Sequence, residues 1–96
     1  MKRGNQFTIY FDKENHWCNG KELQVALSSL NGVALKLYIY FSAHSPNTFL
    51  DFFPIMFCEY ANVSMTAEKN AFKELQENGY LNEVEPSCYV FTTSKK

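Results

Sequence analysis

The stretch Ala61 to Leu81, A-N-V-S-M-T-A-E-K-N-A-F-K-E-L-Q-E-N-G-Y-L, decides the fold, because its signals fix a turn and both ends of a helix. Asn62 is the best non-glycine residue for a left-handed backbone position. Val63 can drop into a core beneath that turn, and Ser64 carries the side-chain oxygen that caps a new helix. Ala67, Ala71, Phe72 and Leu75 give this helix its inward face, with small residues that let it pack closely. Gly79 after Asn78 supplies a left-handed stop. The opposite face then comprises Thr66, Lys69, Asn70, Lys73, Gln76 and Glu77.

Upstream, Phe53, Met56, Phe57, Tyr60 and Ala61 repeat at the spacing of one helical face, with Asp51 as its cap and Pro54 in the first turn. Thr48-Phe49-Leu50 reads as a short strand before it. An earlier helix begins at Leu30, capped by Ser28 or Ser29 and stopped by His44-Ser45-Pro46, with the stripe Leu30, Val33, Ala34, Leu37, Tyr38 and Phe41. Leu35, Ile39 and Tyr40 lie off that stripe, so the helix is apolar around most of its circumference. That marks it as the central helix of the fold, with a dimer surface as a minor use. Phe7 to Phe11 reads as a strand leaving into the polar turn Asp12 to Asn15, while His16 to Lys21 fits no single element. Downstream, Tyr80 to Val84 and Cys88 to Thr92 pair as a hairpin across Glu85-Pro86-Ser87.

The chain has 96 residues, of which 46% are hydrophobic and 17% aromatic, enough for one compact core without metal or disulfide staples. No apolar run reaches the roughly 20 residues of a membrane span, and Met1-Lys2-Arg3 leads into polar residues and not into a signal-peptide core. Cys18, Cys58 and Cys88 are widely spaced and odd in number, which reads as reduced thiols in a cytoplasmic protein.

In the order helix, strand, helix, turn, helix, hairpin, these elements resemble the winged helix-turn-helix domains of small bacterial and phage DNA-binding regulators and replication-type modules. The likeness rests on Ala34 to Tyr40, on the turn Asn62-Val63-Ser64, and on Ala71-Phe72-Lys73-Glu74-Leu75 followed by Asn78-Gly79-Tyr80-Leu81. The resemblance implies one α+β domain over 1–96: three helices and a small antiparallel sheet that includes the C-terminal hairpin wing and an N-terminal strand. Its core would span 28–92, with residues 1–27 as strand and arm and 93–96 as a loose tail. It further implies that the third helix enters the major groove through Thr66, Lys69, Asn70, Lys73 and Gln76, while the hairpin follows a phosphate backbone. Asn and Gln can pair with adenine, Lys with guanine or phosphate, and Thr with a thymine methyl.

The chain departs from that pattern in three ways. Asn62 replaces glycine in the turn. Glu68 falls toward the packed side of the third helix and must reach solvent or find a partner. From Asp51 to Lys96, seven acidic side chains stand against four lysines, and the hairpin carries Glu83 and Glu85 with no cation. Lys69 and Lys73 would be offset by Glu68, Glu74 and Glu77, and Lys2, Arg3, Lys13 and Lys21 would help only if the N-terminal arm folds beside the third helix. The partner is therefore expected to be duplex DNA or, through acidic surface, a host protein, as for an interaction module or a phage-encoded inhibitor that docks on a host nucleic-acid enzyme. A homodimer is compatible with either, and no membrane is expected.

Catalytic chemistry is not indicated. His16 and Cys18 can share a strand face, but no third group orients them. His44 suits a helix C-terminus better than a metal. No enzyme activity, metal or cofactor is expected.

Overall fold

The computed structural model describes residues 6–11, 20–44 and 48–93. Its elements run β1 (Phe7–Phe11), α1 (Gly20–Ser29), α2 (Gly32–Ser42), β2 (Phe49–Phe52), α3 (Pro54–Ala61), α4 (Met65–Glu77), β3 (Leu81–Glu85) and β4 (Cys88–Phe91). The class is α+β, with four helices among the described residues in place of the expected three.

The additional helix, α1, turns Ala26 into the core with Leu23 beside it, and Leu30 follows into the core just past its end. Ser28 and Ser29 belong to its last turn and cap nothing, since both hydroxyls donate back to the Val25 carbonyl at 2.9 and 2.7 Å. The cap of α2 is Asn31, whose side-chain oxygen accepts from the Ala34 N–H at 3.1 Å. One expected helix start is thus a junction between two helices.

The sheet is mixed, in the order β2-β1-β4-β3, and not the expected antiparallel one. Strand β1 runs antiparallel to β2 and parallel to β4, with Ile9 beside both Leu50 and Tyr89. Its backbone ladder also explains why Asp51 is no helix cap: Asp51 pairs with Thr8 inside β2. Helix α3 instead starts from Phe53 with no side-chain cap bond, and Pro54 occupies its first turn.

Pleat alternation sends Phe7, Ile9, Phe11, Phe52, Tyr89 and Phe91 to one face, where α2 and α4 cover them. The core therefore begins well before residue 28. It also reaches past Phe91, because Thr92 and Thr93 are buried and not part of a loose tail. Aromatic rings fill it edge to face, as in Phe41 against Phe52 at 5.1 Å and Phe72 against Tyr89 at 5.0 Å.

On the other face of the sheet the register aligns Phe49, Tyr10, Val90 and Asn82 across all four strands. The β3–β4 hairpin turns through Pro86 and Ser87, with Ser87 at φ 65°, and Val84 sits at an irregularity in the pairing.

Candidate nucleic-acid interface

Helix α4 is held at both ends by local chemistry. Asn62 is left-handed at φ 56°, and the Ser64 hydroxyl accepts from the Ala67 N–H at 3.0 Å. At the far end Gly79 has φ 84°, and the N–H groups of Gly79 and Tyr80 donate to the carbonyls of Gln76 and Leu75. This is the paired closure that a left-handed glycine permits. Ala71, Phe72 and Leu75 lock the inner face to the core, with Ala67 half-buried beside them.

With the helix so phased, Thr66, Lys69, Asn70 and Lys73 stand exposed along one face, and Gln76 continues it half-buried. Neither lysine is ion-paired among the described residues. The three acids expected to offset them are disposed differently. Glu68 is 0% exposed, so it does not reach solvent. Glu74 turns toward the α1–α2 junction, where its carboxylate accepts from the Asn31 backbone N–H at 2.7 Å and from the Asn31 side-chain amide. Only Glu77, at the C-terminal end, remains exposed.

Asn31 uses three polar groups at once: two donate to Glu74, and its oxygen caps α2. The carboxylate thereby sits at the N-terminus of α2, where the helix dipole favours an anion. Sequence reading missed this pair, because nothing local to Asn31 announces an acceptor more than forty residues away.

Strand β3 is the opposite case. Asn82, Glu83, Val84 and Glu85 are all exposed, so the acidity read from the sequence is on the surface there. Lys21 is exposed on α1, whereas Lys2, Arg3, Lys13, Lys95 and Lys96 lie outside the described residues, as do His16, Trp17, Cys18 and Ser45-Pro46. A scan against protein-family models and searches of curated proteins and of solved structures find no match to this chain.

The other candidates that fall among the described residues are His44, Cys58 and Cys88. His44 stacks on Phe11 at 5.0 Å, and its Nδ1 lies 3.0 Å from the Tyr40 carbonyl, which can only accept, so Nδ1 carries the proton. Cys58 is buried and donates to the Ser64 carbonyl, while Cys88 is half-buried. Among the described residues no cluster of His, Cys, Asp and Glu is suited to a metal, and no helix is long and apolar enough to cross a membrane.

A second surface was not anticipated. Phe53, Met56 and Tyr60, read as part of an inward stripe, are 40, 45 and 72% exposed, while Pro54, Phe57 and Cys58 face the core. The stripe failed because α3 carries Glu59 as its one charged residue, leaving periodicity little to phase against. Between α2 and α3 lies an open apolar groove of about 320 Å³, lined by Lys36, Ile39, Tyr40, Phe57, Tyr60 and Ala61.

Proposed function

We propose that this chain is a small winged-helix DNA-binding protein of the kind found in phage and plasmid transcription or replication regulators. In this reading α3, the turn at Asn62 and α4 form the helix-turn-helix, and β3–β4 is the wing. The observation that carries it is the disposition of charge on α4. Glu68 is buried and Glu74 is engaged by Asn31, leaving Lys69 and Lys73 without an ion pair among the described residues, beside Asn70 and Thr66. Two like charges one helical turn apart repel by a few tenths of a kcal/mol, an arrangement relieved when a phosphate lies between them. Asn70 supplies the amide that pairs with adenine, and Thr66 a methyl for thymine.

The test is selection of duplexes from a random pool, followed by anisotropy titrations across salt concentrations. Lys69→Ala with Lys73→Ala is expected to weaken binding to all duplexes and reduce the log–log salt slope by about two. Asn70→Ala is expected to cost about 1–3 kcal/mol and relax the preference at one position. Absence of salt-dependent binding to any duplex sinks the reading.

The acidic strand β3 favours a second reading, a winged-helix module that docks on a basic protein surface through Glu83 and Glu85. Capture of a host protein that persists after nuclease treatment, and is lost on Glu83→Lys with Glu85→Lys, distinguishes it.

A further inference from the structure

The outward face of α3 is formed by Ile55, Met56, Glu59 and Tyr60, the positions complementary to the buried Pro54, Phe57 and Cys58. Helical phasing turns Met56 and Tyr60 toward α2 and turns Ile55 and Glu59 away from it. Ile39 of α2, 51% exposed, extends the apolar strip across the groove, and Lys36 borders it there. Four large apolar side chains thus form one strip, with a cation on one margin and an anion on the other.

Neither charge is ion-paired among the described residues. Lys36 Nζ reaches only the Ala61 carbonyl, at 3.4 Å, and Glu59 is exposed. A surface of this kind is complementary to itself. A two-fold axis running along α3 exchanges the margins, setting each lysine over a glutamate and strip against strip.

We propose that the α2–α3 face is the docking surface for a second copy of this chain, with Lys36 of each copy meeting Glu59 of the other around Tyr60 and Ile39. The charge pattern selects this occupant: a formal net charge of −1 leaves little long-range repulsion between copies, and the flanking charges match under two-fold rotation. Tyr60, the most exposed of the large apolar residues, is the anchor, and the groove has room for an aromatic ring. The inference is independent of the DNA reading, because it concerns α2 and α3 and is tested without nucleic acid.

The experiment is sedimentation of the full chain over a range of concentrations. The wild type is expected to dimerise reversibly, and Tyr60→Ser to shift it toward monomer. Lys36→Glu and Glu59→Lys should each weaken the dimer about tenfold, since two symmetry-related contacts turn repulsive together. The double variant is expected to recover most of that loss, a rescue that a merely structural role for either residue does not produce.

Circular dichroism checks that each variant is folded. If Lys36→Glu disturbs the end of α3, Glu59→Lys and Ile39→Ser are read in its place, each being expected to favour monomer. A chain that stays monomeric up to about 1 mM overturns the proposal and leaves the face to a different protein. A dimer indifferent to Tyr60→Ser, or a folded double variant no better than the single ones, overturns it equally.

Discussion

Tyr38 and Tyr80 meet ring edge to ring face at 5.1 Å in the core, but their hydroxyls are treated differently. Tyr38 donates to the Thr93 carbonyl at 2.9 Å, whereas the Tyr80 hydroxyl is buried without a hydrogen-bond partner among the described residues. Removing a buried bond costs about 1–2 kcal/mol, while removing a buried unsatisfied hydroxyl is neutral or stabilising by about 1 kcal/mol. Tyr38→Phe is therefore expected to lower the denaturation midpoint and Tyr80→Phe to hold or raise it, as chemical unfolding will read. A third phenol, Tyr40, is held above its ordinary value of 10.0 by burial first and by the neighbouring Tyr60 second. Below that ordinary value both states keep the proton and full stability is present. As pH rises past it, the unfolded chain ionises first, so stability falls until the folded phenol also titrates. Tyr40→Phe should flatten this decline, measured from about pH 9 to about pH 11. At this scale the sequence was legible wherever chemistry is local: Asn62, Ser64 and Gly79 announce their backbone roles in their own side chains. Thr66, Lys69, Asn70, Lys73 and Gln76 were likewise placed on one face by period alone. The burial of Glu68 was not, because its surroundings come from elsewhere in the chain.

The junction between α1 and α2 shows how a polar pair can define two elements at once. Asn31 caps α2 and is itself gripped by Glu74 of α4, so the joint between two helices is fastened to a third. Loss of the cap costs about 1 kcal/mol, and loss of the charged acceptor adds about 1.5–3 kcal/mol. Asn31→Ala and Glu74→Ala should each destabilise the protein, and their double-mutant cycle should return a coupling of about 1–2 kcal/mol. A coupling near zero in equilibrium denaturation would sink this account. The break between α1 and α2 escaped the sequence reading because Ser28 and Ser29 offer the same local cap chemistry as Asn31. The choice among the three was made by Glu74. Helix α3 was legible in position but not in rotation, since a single charged residue, Glu59, among apolar ones sets the phase only weakly.

For the whole molecule, β1 is the member that a local reading undervalues. It was legible as a strand from Phe7 to Phe11, but parallel pairing leaves no hairpin turn to betray its place between β2 and β4. Ile9 is 0% exposed with strands on both sides, whereas its neighbour Tyr10 is 45% exposed on the open face. Ile9→Ala is expected to cost about 2–5 kcal/mol and Tyr10→Ala less than about 1 kcal/mol. Equal effects in chemical denaturation would mean that β1 does not sit as described. The same topology has a consequence for the making of the protein. Thr8 is laid beside Cys88, so β1 waits for β4, the last of the described strands to be made. At about 5–20 residues per second, the edge of β1 that β4 will take stays open for several seconds, even once β2 is available to its other edge. Synthesis of β4 closes that edge, and a nascent chain halted before it leaves an open strand edge on β1 to whatever chaperone or neighbour is near.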